Sequence, residues 1–156
     1  MSAANRNRGA RAEVAVVNYL RAQGCWPDAR RYLAGDGRQP GDIDWHPLIC
    51  LEVKDVAASA WPTWCRQAAA EARPGMVPVV VRRTRGVPDV GQWPVRVSWL
   101  EALETFGQAE AVAMAGRSAS PSGAVVWRMD GDLCSGHSWL LSTMAELVAA
   151  VKAVDA

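Results

Sequence analysis

The stretch that decides the fold is GDIDWHPLICLEVK, residues 41–54. Its pattern is typical of two short strands joined by a tight turn at 46–47. Three of its ionisable side chains, those of Asp42, Glu52 and Lys54, stand among residues that otherwise indicate a buried hairpin. Because a buried charge without a partner costs free energy, we expect these side chains to serve a purpose other than packing.

The predicted hairpin brings two carboxylates together. Paired positions in a two-stranded antiparallel ladder sum to a constant, so a turn at 46–47 places Asp42 opposite residues 51–52. Glu52 and Lys54 are two positions apart and therefore project from the same face of their strand. Two neighbouring carboxylates repel each other, and burial adds a cost of desolvation. A divalent cation would remove both costs, and oxygen ligands favour Mg²⁺ or Mn²⁺ over zinc.

A third carboxylate, that of Glu13, lies on the first predicted helix, which spans residues 6–23. It stands one turn before Val17 and two turns before Leu20, at the head of the apolar stripe of that helix. Two interpretations are equally open. Either the side chain faces the sheet and joins the other carboxylates, or it interacts with the dipole at the helix N-terminus.

The rest of the first hundred residues has a mixed α/β layout. DARRYLAGDGRQPGD at 28–42 predicts a short strand followed by a glycine-rich loop. A second helix is expected at 60–73, and the β-branched run VPVVVRR at 77–83 predicts a central strand. WPVRVS at 93–98 predicts another strand, and capping-box spacing at 98–101 marks the start of a third helix.

The C-terminal tail repeats the preceding order of strand, turn, tryptophan-containing strand and capped helix. GRSASPSG at 116–123 predicts a loop or short linker. AVVWRM at 124–129 and SWLLS at 138–142 predict a hairpin, and Thr143 with Glu146 has capping-box spacing for a last helix.

Length and composition predict one compact domain. A chain of 156 residues, half of them apolar, is globular and too short for two ordinary domains. We divide it into a core at 1–115 and a hairpin-helix extension at 116–156 that packs on the core. The chain shows no signal peptide and no apolar run long enough for a membrane span, so we expect a soluble cytoplasmic protein. Four widely spaced cysteines and two histidines argue against a zinc site and against disulfides.

The charge is distributed asymmetrically. Up to Arg96 the chain has 14 lysines and arginines against nine acidic residues, and from Val97 onward it has three against seven. Almost all of the basic charge in the front portion is arginine, whose planar fork suits phosphate oxygens. This asymmetry supports a nucleic-acid partner but is also compatible with an ordinary solvated surface.

These motifs resemble a known family. An aspartate followed by Glu-x-Lys, here GD at 41–42 and EVK at 52–54, is the signature of the PD-(D/E)XK nuclease superfamily. The larger set NRGARAEVAVVNYLRAQGC, ARRYLAGDGRQPGDID and LICLEVK is similar to archaeal-type Holliday junction resolvases and related phage endonucleases. The resemblance runs from about residue 5 to residue 83. It implies a restriction-endonuclease-like α/β/α core with a mixed central sheet, followed by the hairpin-helix extension.

The resemblance also implies catalytic roles. Asp42 and Glu52 would be metal ligands together with the backbone carbonyl of Val53, and Glu13 would complete the metal shell. Lys54 would orient and help to activate the attacking water. Gln67, in WCRQAAAEA, falls where many superfamily members carry a glutamine near the active site.

Arginines would bind the DNA. Arg30 or Arg31 would match a family residue that contacts phosphate, and we assign DNA binding also to Arg8, Arg11 and Arg38. Some archaeal resolvases place an arginine directly after the helix-one glutamate, whereas this chain has Val14 there. That departure bears on junction specificity rather than on the nuclease chemistry.

The sequence therefore predicts a Mg²⁺-dependent endodeoxyribonuclease, in the first instance a Holliday junction resolvase that acts as a homodimer on branched DNA. One alternative is a different nuclease of the same fold, such as a restriction-like, repair or DNA-end-processing enzyme. The other is a non-catalytic DNA-binding or protein-interaction module. The intact set Asp42, Glu52 and Lys54 argues against the last, because an idle protein gains nothing from clustered buried charge.

Overall fold

The computed structural model describes residues 3–32, 39–107, 118–119, 125–126, 129–130 and 139–155. The α-helices within these ranges are α1 (Ala3–Ala22), α2 (Trp61–Glu71), α3 (Trp99–Phe106) and α4 (Met144–Asp155). The strands are β1 (Arg30–Arg31), β2 (Ile43–Asp44), β3 (Ile49–Lys54), β4 (Val77–Arg82), β5 (Pro94–Ser98), β6 (Ser118–Ala119), β7 (Val125–Val126), β8 (Met129–Asp130) and β9 (Trp139–Thr143). A short 3-10 helix covers Val90–Gln92.

The main sheet is mixed and has the strand order β1-β2-β3-β4-β5-β9-β8. Among the described strands of this sheet, β3 and β4 alone pair in parallel, and α2 forms the crossover between them. The other neighbours pair antiparallel. The predicted α/β class with a mixed sheet is thus confirmed. β4 lies at its centre, as its β-branched sequence predicts.

Helices cover both faces of this sheet. Side chains alternate along β4, so Val79 and Val81 belong to a larger apolar cluster, whereas Val80 belongs to a smaller one. The larger cluster includes buried residues of α1, α3 and α4, and the smaller cluster is formed with α2. The sheet is therefore sandwiched between α2 on one side and the other three helices on the other side.

The start of α4 has the predicted capping box. The Glu146 carboxylate accepts a hydrogen bond from the Thr143 backbone N–H at 2.8 Å, and the Glu146 N–H donates to Thr143 Oγ1 at 3.3 Å. At the start of α3 the same spacing gives a different contact. There Ser98 Oγ donates to the Glu101 carboxylate, and the Ser98 side chain does not cap a backbone N–H.

The C-terminal residues contribute directly to the main sheet and its core. β9 pairs with β5 over five residues, and β8 pairs with the other edge of β9. Leu147 and Val151 of α4 are fully buried in the larger cluster. The predicted strand at 124–129 differs from the structure, because Val125–Val126 pairs with Ser118–Ala119 in a separate two-stranded sheet. The division of the chain at residue 115 stays a prediction.

None of the helices in the described ranges is both long and apolar enough to cross a membrane.

Candidate active site at the β2–β3 hairpin

The hairpin brings Asp42 next to residues 51–53 of β3. Ile43 pairs with Leu51, and this is the outermost pair of the β2–β3 ladder. Beyond it the Asp42 N–H donates to the Leu51 carbonyl at 2.8 Å, so Asp42 lies beside Leu51 and the following residue, Glu52. Gly41 makes this close approach possible, because its φ is +71° and a Cβ there would lie 2.6 Å from the Leu51 carbonyl oxygen.

The Asp42 carboxylate is held against β3. Its Oδ2 accepts a hydrogen bond from the Val53 N–H at 2.7 Å. Burial raises the pKa of Asp42 from its ordinary 3.8 to about 6; the Val53 bond opposes this shift, and the negative charge of Glu13 adds to it. The ionised carboxylate is therefore destabilised by its surroundings despite its backbone hydrogen bond.

The Glu52 carboxylate is more deeply buried, with 3% of the residue exposed. Its Oε1 accepts hydrogen bonds from Lys54 Nζ and, at 3.0 Å, from Gln67 Nε2. Burial, followed by repulsion from Asp42, raises the pKa of Glu52 to about 7, and Lys54 acts in the opposite direction. Two carboxylates with raised pKa values thus share one spot on the α2 face of the sheet.

Helix α2 places Gln67 above this pair. Trp64, Cys65 and Ala68 bury one side of α2 against the sheet, and Cys50 Sγ lies 3.7 Å from the Ala68 carbonyl. Gln67 lies beside this buried side, and its Oε1 accepts a hydrogen bond from Lys54 Nζ at 3.0 Å. The predicted residues 52, 54 and 67 therefore form one closed network of hydrogen bonds.

Glu71 also belongs to the site, although no motif singled it out. It lies one helical turn after Gln67 and accepts a hydrogen bond from Gln67 Nε2 at 3.0 Å. Its negative charge contributes to the raised pKa values of both Asp42 and Glu52. The i, i+4 spacing of Gln67 and Glu71 was the available signal in the sequence.

Cys50 lies beneath the site but is unsuited to nucleophilic chemistry. Burial, together with the charges of Glu71, Glu52 and Asp42, raises the pKa of the Cys50 thiol to about 12. Since the thiolate is the reactive form, this thiol stays protonated and inert at neutral pH. The acidic network therefore excludes a covalent cysteine mechanism at this position.

Glu13 faces the sheet from α1. Because α1 begins at Ala3, Glu13 lies in its third turn, and the interpretation of Glu13 as a partner of the helix dipole is wrong. Its Oε2 accepts a hydrogen bond from Arg31 Nε at 2.6 Å, and the Arg31 Nη2 also contacts it. Glu13 is close enough to raise the pKa of Asp42, but its own charge is matched by Arg31.

The predicted DNA-binding arginines occupy different surroundings. Arg30 and Arg31 are neighbours on β1 and form ion pairs with different elements, Arg30 with Asp44 of β2 at 2.6 Å and Arg31 with Glu13 of α1. Arg8 and Arg11 are exposed on α1. Arg38 lies outside the described residues.

The site offers a metal ion two acidic ligands rather than a complete coordination shell. In the described part of the chain, no three histidine, cysteine, aspartate or glutamate side chains are grouped so as to hold a metal ion. Asp42 and Glu52 nevertheless fit a hard dication, since both supply carboxylate oxygens and Lys54 only partly offsets the repulsion that Glu52 experiences from Asp42. Glu13 lies near this pair of carboxylates, but its Oε2 accepts a hydrogen bond from Arg31.

Comparison of the chain with protein-family models, with curated proteins and with solved structures gives no match. The assignment of a function therefore depends on the chemistry of the site itself.

Proposed function

We propose that this protein is a Mg²⁺-dependent endodeoxyribonuclease of the PD-(D/E)XK type, with a restriction-endonuclease-like core. The observation that carries the proposal is that the Asp42 carboxylate is bound to the Val53 N–H, directly after Glu52, while Lys54 and Gln67 donate to Glu52. A sheet gains no stability from two buried carboxylates at one spot. Their presence is accounted for if a cation and a phosphodiester complete the site.

The two carboxylates would be the metal ligands, with the Val53 carbonyl as a third oxygen donor. When bound, Mg²⁺ would neutralise negative charge on the phosphoryl oxygens and acidify a bound water. Mn²⁺ prefers the same oxygen ligands and is expected to substitute. The raised pKa values of Asp42 and Glu52 support this role, because they result from burial and, secondarily, from neighbouring negative charges, and a bound dication would offset both.

Lys54 would hold the attacking water. Its ammonium donates to both Glu52 and Gln67, so its position is fixed from two sides. A positioned donor beside the metal ligands orients a water for in-line attack on phosphorus. Gln67 would act as a positioning residue, since its amide binds Lys54 through oxygen and Glu52 through nitrogen.

The substrate that we propose is branched DNA, in the first instance a four-way junction cut by a homodimer. Two symmetric strands of such a junction require two active sites, which a dimer provides. The proposal rests on the resemblance of the stretch from about residue 5 to residue 83 to archaeal-type junction resolvases and on the arginine-rich front portion of the chain. The alternative is another nuclease of the same fold that acts on linear DNA. A cleavage assay that compares branched with linear substrates distinguishes the two.

The test is a cleavage assay on a labelled four-way junction, a linear duplex of the same sequence and a single strand. Each substrate is incubated with Mg²⁺, Mn²⁺, Ca²⁺ or EDTA. We expect cleavage of the junction with Mg²⁺ and Mn²⁺, no cleavage with Ca²⁺ or EDTA, and products with a 5′-phosphate. Equal cleavage of the linear duplex would favour a different nuclease of this type. Absence of cleavage of all three substrates with Mg²⁺ would refute the enzymatic proposal.

A further inference from the structure

The ion pair between Glu13 and Arg31 lies at the border of the candidate site. Tyr32, the residue after Arg31, donates its backbone N–H to the Asp42 carbonyl at 2.9 Å, so β1 runs directly beside the acidic pair. Glu13 is mostly buried, with 17% of its side chain exposed, whereas Arg31 is 35% exposed on a strand at the edge of the sheet. Solvent and ligands can therefore reach the guanidinium more easily than the carboxylate.

This ion pair opposes both roles that the two residues would play in a nuclease. Glu13 Oε2 accepts from Arg31 Nε at 2.6 Å and is also contacted by Nη2, so this oxygen cannot be given to a cation without loss of the pair. The same edge of the guanidinium cannot bind a phosphate while it holds the carboxylate. In the DNA-free protein Arg31 thus holds one carboxylate oxygen of Glu13, Oε2, and Glu13 holds one edge of the guanidinium.

We propose that Arg31 is a positioning residue that senses the substrate. A DNA phosphate takes the guanidinium, and the released Glu13 carboxylate turns towards the cation at Asp42 and Glu52. The inference rests on the proposed function and adds to it the order in which the site is completed. No covalent bond changes. The Arg31 guanidinium exchanges one anionic partner for another, and the Glu13 carboxylate exchanges one cationic partner for another.

The exchange is physically reasonable for two reasons. A guanidinium binds a phosphodiester through the same parallel N–H bonds that it gives to a carboxylate, so the loss of one partner is offset by the other. The carboxylate that is left behind is buried and close enough to Asp42 to raise its pKa. An unpaired Glu13 would therefore increase the attraction of the site for a dication.

A thermodynamic consequence follows from this exchange. If DNA frees a metal ligand, DNA binding must tighten metal binding, and metal must tighten DNA binding by the same factor. The coupling depends on Glu13 and Arg31 together. It therefore separates the proposed exchange from a simple contribution of Arg31 to DNA affinity.

The test uses Ca²⁺ as a probe that occupies the site without cleavage. The Ca²⁺ affinity of the DNA-free protein is measured by calorimetry, and the affinity for a four-way junction is measured with and without Ca²⁺. The variants are Arg31→Gln, Glu13→Gln and the double variant, and Arg30→Gln serves as the matched control. Arg30 is the neighbouring arginine, and it pairs with Asp44 instead of Glu13, so its variant reports only the general loss of one positive charge.

For the wild type we expect Ca²⁺ to tighten DNA binding by at least about fivefold, the lower end of typical couplings between linked sites. In the absence of DNA, Arg31→Gln should bind Ca²⁺ at least about fivefold more tightly than Arg30→Gln, because Glu13 is already free. The coupling should vanish in Glu13→Gln, and the added Arg31→Gln change should then have no further effect on Ca²⁺ binding.

Equal Ca²⁺ affinities of Arg31→Gln and Arg30→Gln would overturn the inference, as would a wild type without coupling. If Arg31→Gln does not fold, the coupling between Ca²⁺ and DNA binding is compared in the wild type and in Glu13→Gln. Coupling that persists without the Glu13 carboxylate would exclude the exchange. A different result tests the proposed function. Should Asp42→Asn bind Ca²⁺ as tightly as the wild type, the metal site itself is misplaced.

Discussion

Two glutamates at different places in the fold, Glu52 on β3 and Glu146 at the start of α4, have opposite relations to stability. Glu146 Oε2 accepts hydrogen bonds from the Thr143 N–H and the Thr143 hydroxyl, at 2.8 and 3.0 Å. This satisfies backbone groups that a helix start leaves without partners. Glu52 instead lies buried beside Asp42, and its pKa is raised to about 7.

The difference separates a carboxylate that caps a helix from one that does not serve the fold in this way. Glu146 completes a local motif and accepts hydrogen bonds from Ser142 and Thr143. Glu52 is held in a place where its ionised form is unfavourable, next to a second carboxylate and a lysine. Charges held at a cost to stability cluster at functional sites, and this is the physical reason for the proposed role of Glu52.

The largest expected effect is on cleavage. Glu52→Gln, Asp42→Asn and Lys54→Ala should each reduce the cleavage rate by about 100-fold or more, because each removes a group that would act on the metal or the water. Glu146→Gln is the matched control and should cleave at the wild-type rate, since glutamine also serves in a capping box. Single-turnover assays on the junction provide the measurement. Normal turnover by any of the first three variants would remove that residue from the mechanism.

The second effect concerns the stability of the metal-free protein. At pH 8, Asp42→Asn should raise the free energy of unfolding by on the order of 1 kcal/mol, because it removes a buried charge while asparagine Oδ1 still accepts from the Val53 N–H. Thr143→Ala should lower it by about 1 kcal/mol through loss of the helix cap. Urea denaturation with EDTA present measures both. A destabilised Asp42→Asn would mean that the carboxylate stabilises the fold after all.

The pH dependence of stability should follow the raised pKa values. In the native state Asp42 and Glu52 bind protons up to about pH 6 and about pH 7, whereas in the unfolded chain they ionise near 3.8 and 4.5. The native state thus binds more protons between these limits, and this contribution to stability falls as the pH rises from about 4 to about 7. Mg²⁺ should therefore raise the melting temperature more at pH 8 than at pH 5.5. Thermal scans check this, and Glu52→Gln should weaken the difference.

The smallest effect is expected at Glu71, which accepts a hydrogen bond from Gln67 and acts on Asp42 and Glu52 through its charge alone. Glu71→Ala removes one acceptor of the Gln67 amide and should lower kcat by about two- to tenfold, the equivalent of one hydrogen bond. KM and the unfolding midpoint should stay close to the wild-type values. Glu71→Gln keeps an acceptor oxygen and should restore kcat. If both variants behaved alike, the orientation of Gln67 would not depend on Glu71.

Several parts of this molecule follow from local rules in the chain. The alternation of side chains along a strand puts Glu52 and Lys54 on one face, and the turn at 46–47 sets Asp42 beside residues 51–52. The β-branched run at 77–82 predicts the central strand, and the spacing at 143–146 predicts a helix cap. These features depend on residues close in sequence, so periodicity and turn geometry are sufficient.

Other parts depend on contacts between distant segments. The sequence left open where Glu13 points, and no motif in it indicated Glu71 or the pairing of Arg31, rather than Arg30, with Glu13. The position of β9 next to β5 in the main sheet was likewise not predicted. Such pairings are set by how helices and strands pack, and many sequence-compatible partners compete for each charge.

The amino-acid sequence by itself thus determined the acidic hairpin, because strand alternation and turn register are properties of a short segment. Only the tertiary structure decided that Glu13 is held by Arg31 and that Gln67 joins Lys54 to Glu52 and Glu71. Those contacts form when α1 and α2 bury their apolar sides on opposite faces of the sheet, and that burial involves the whole chain.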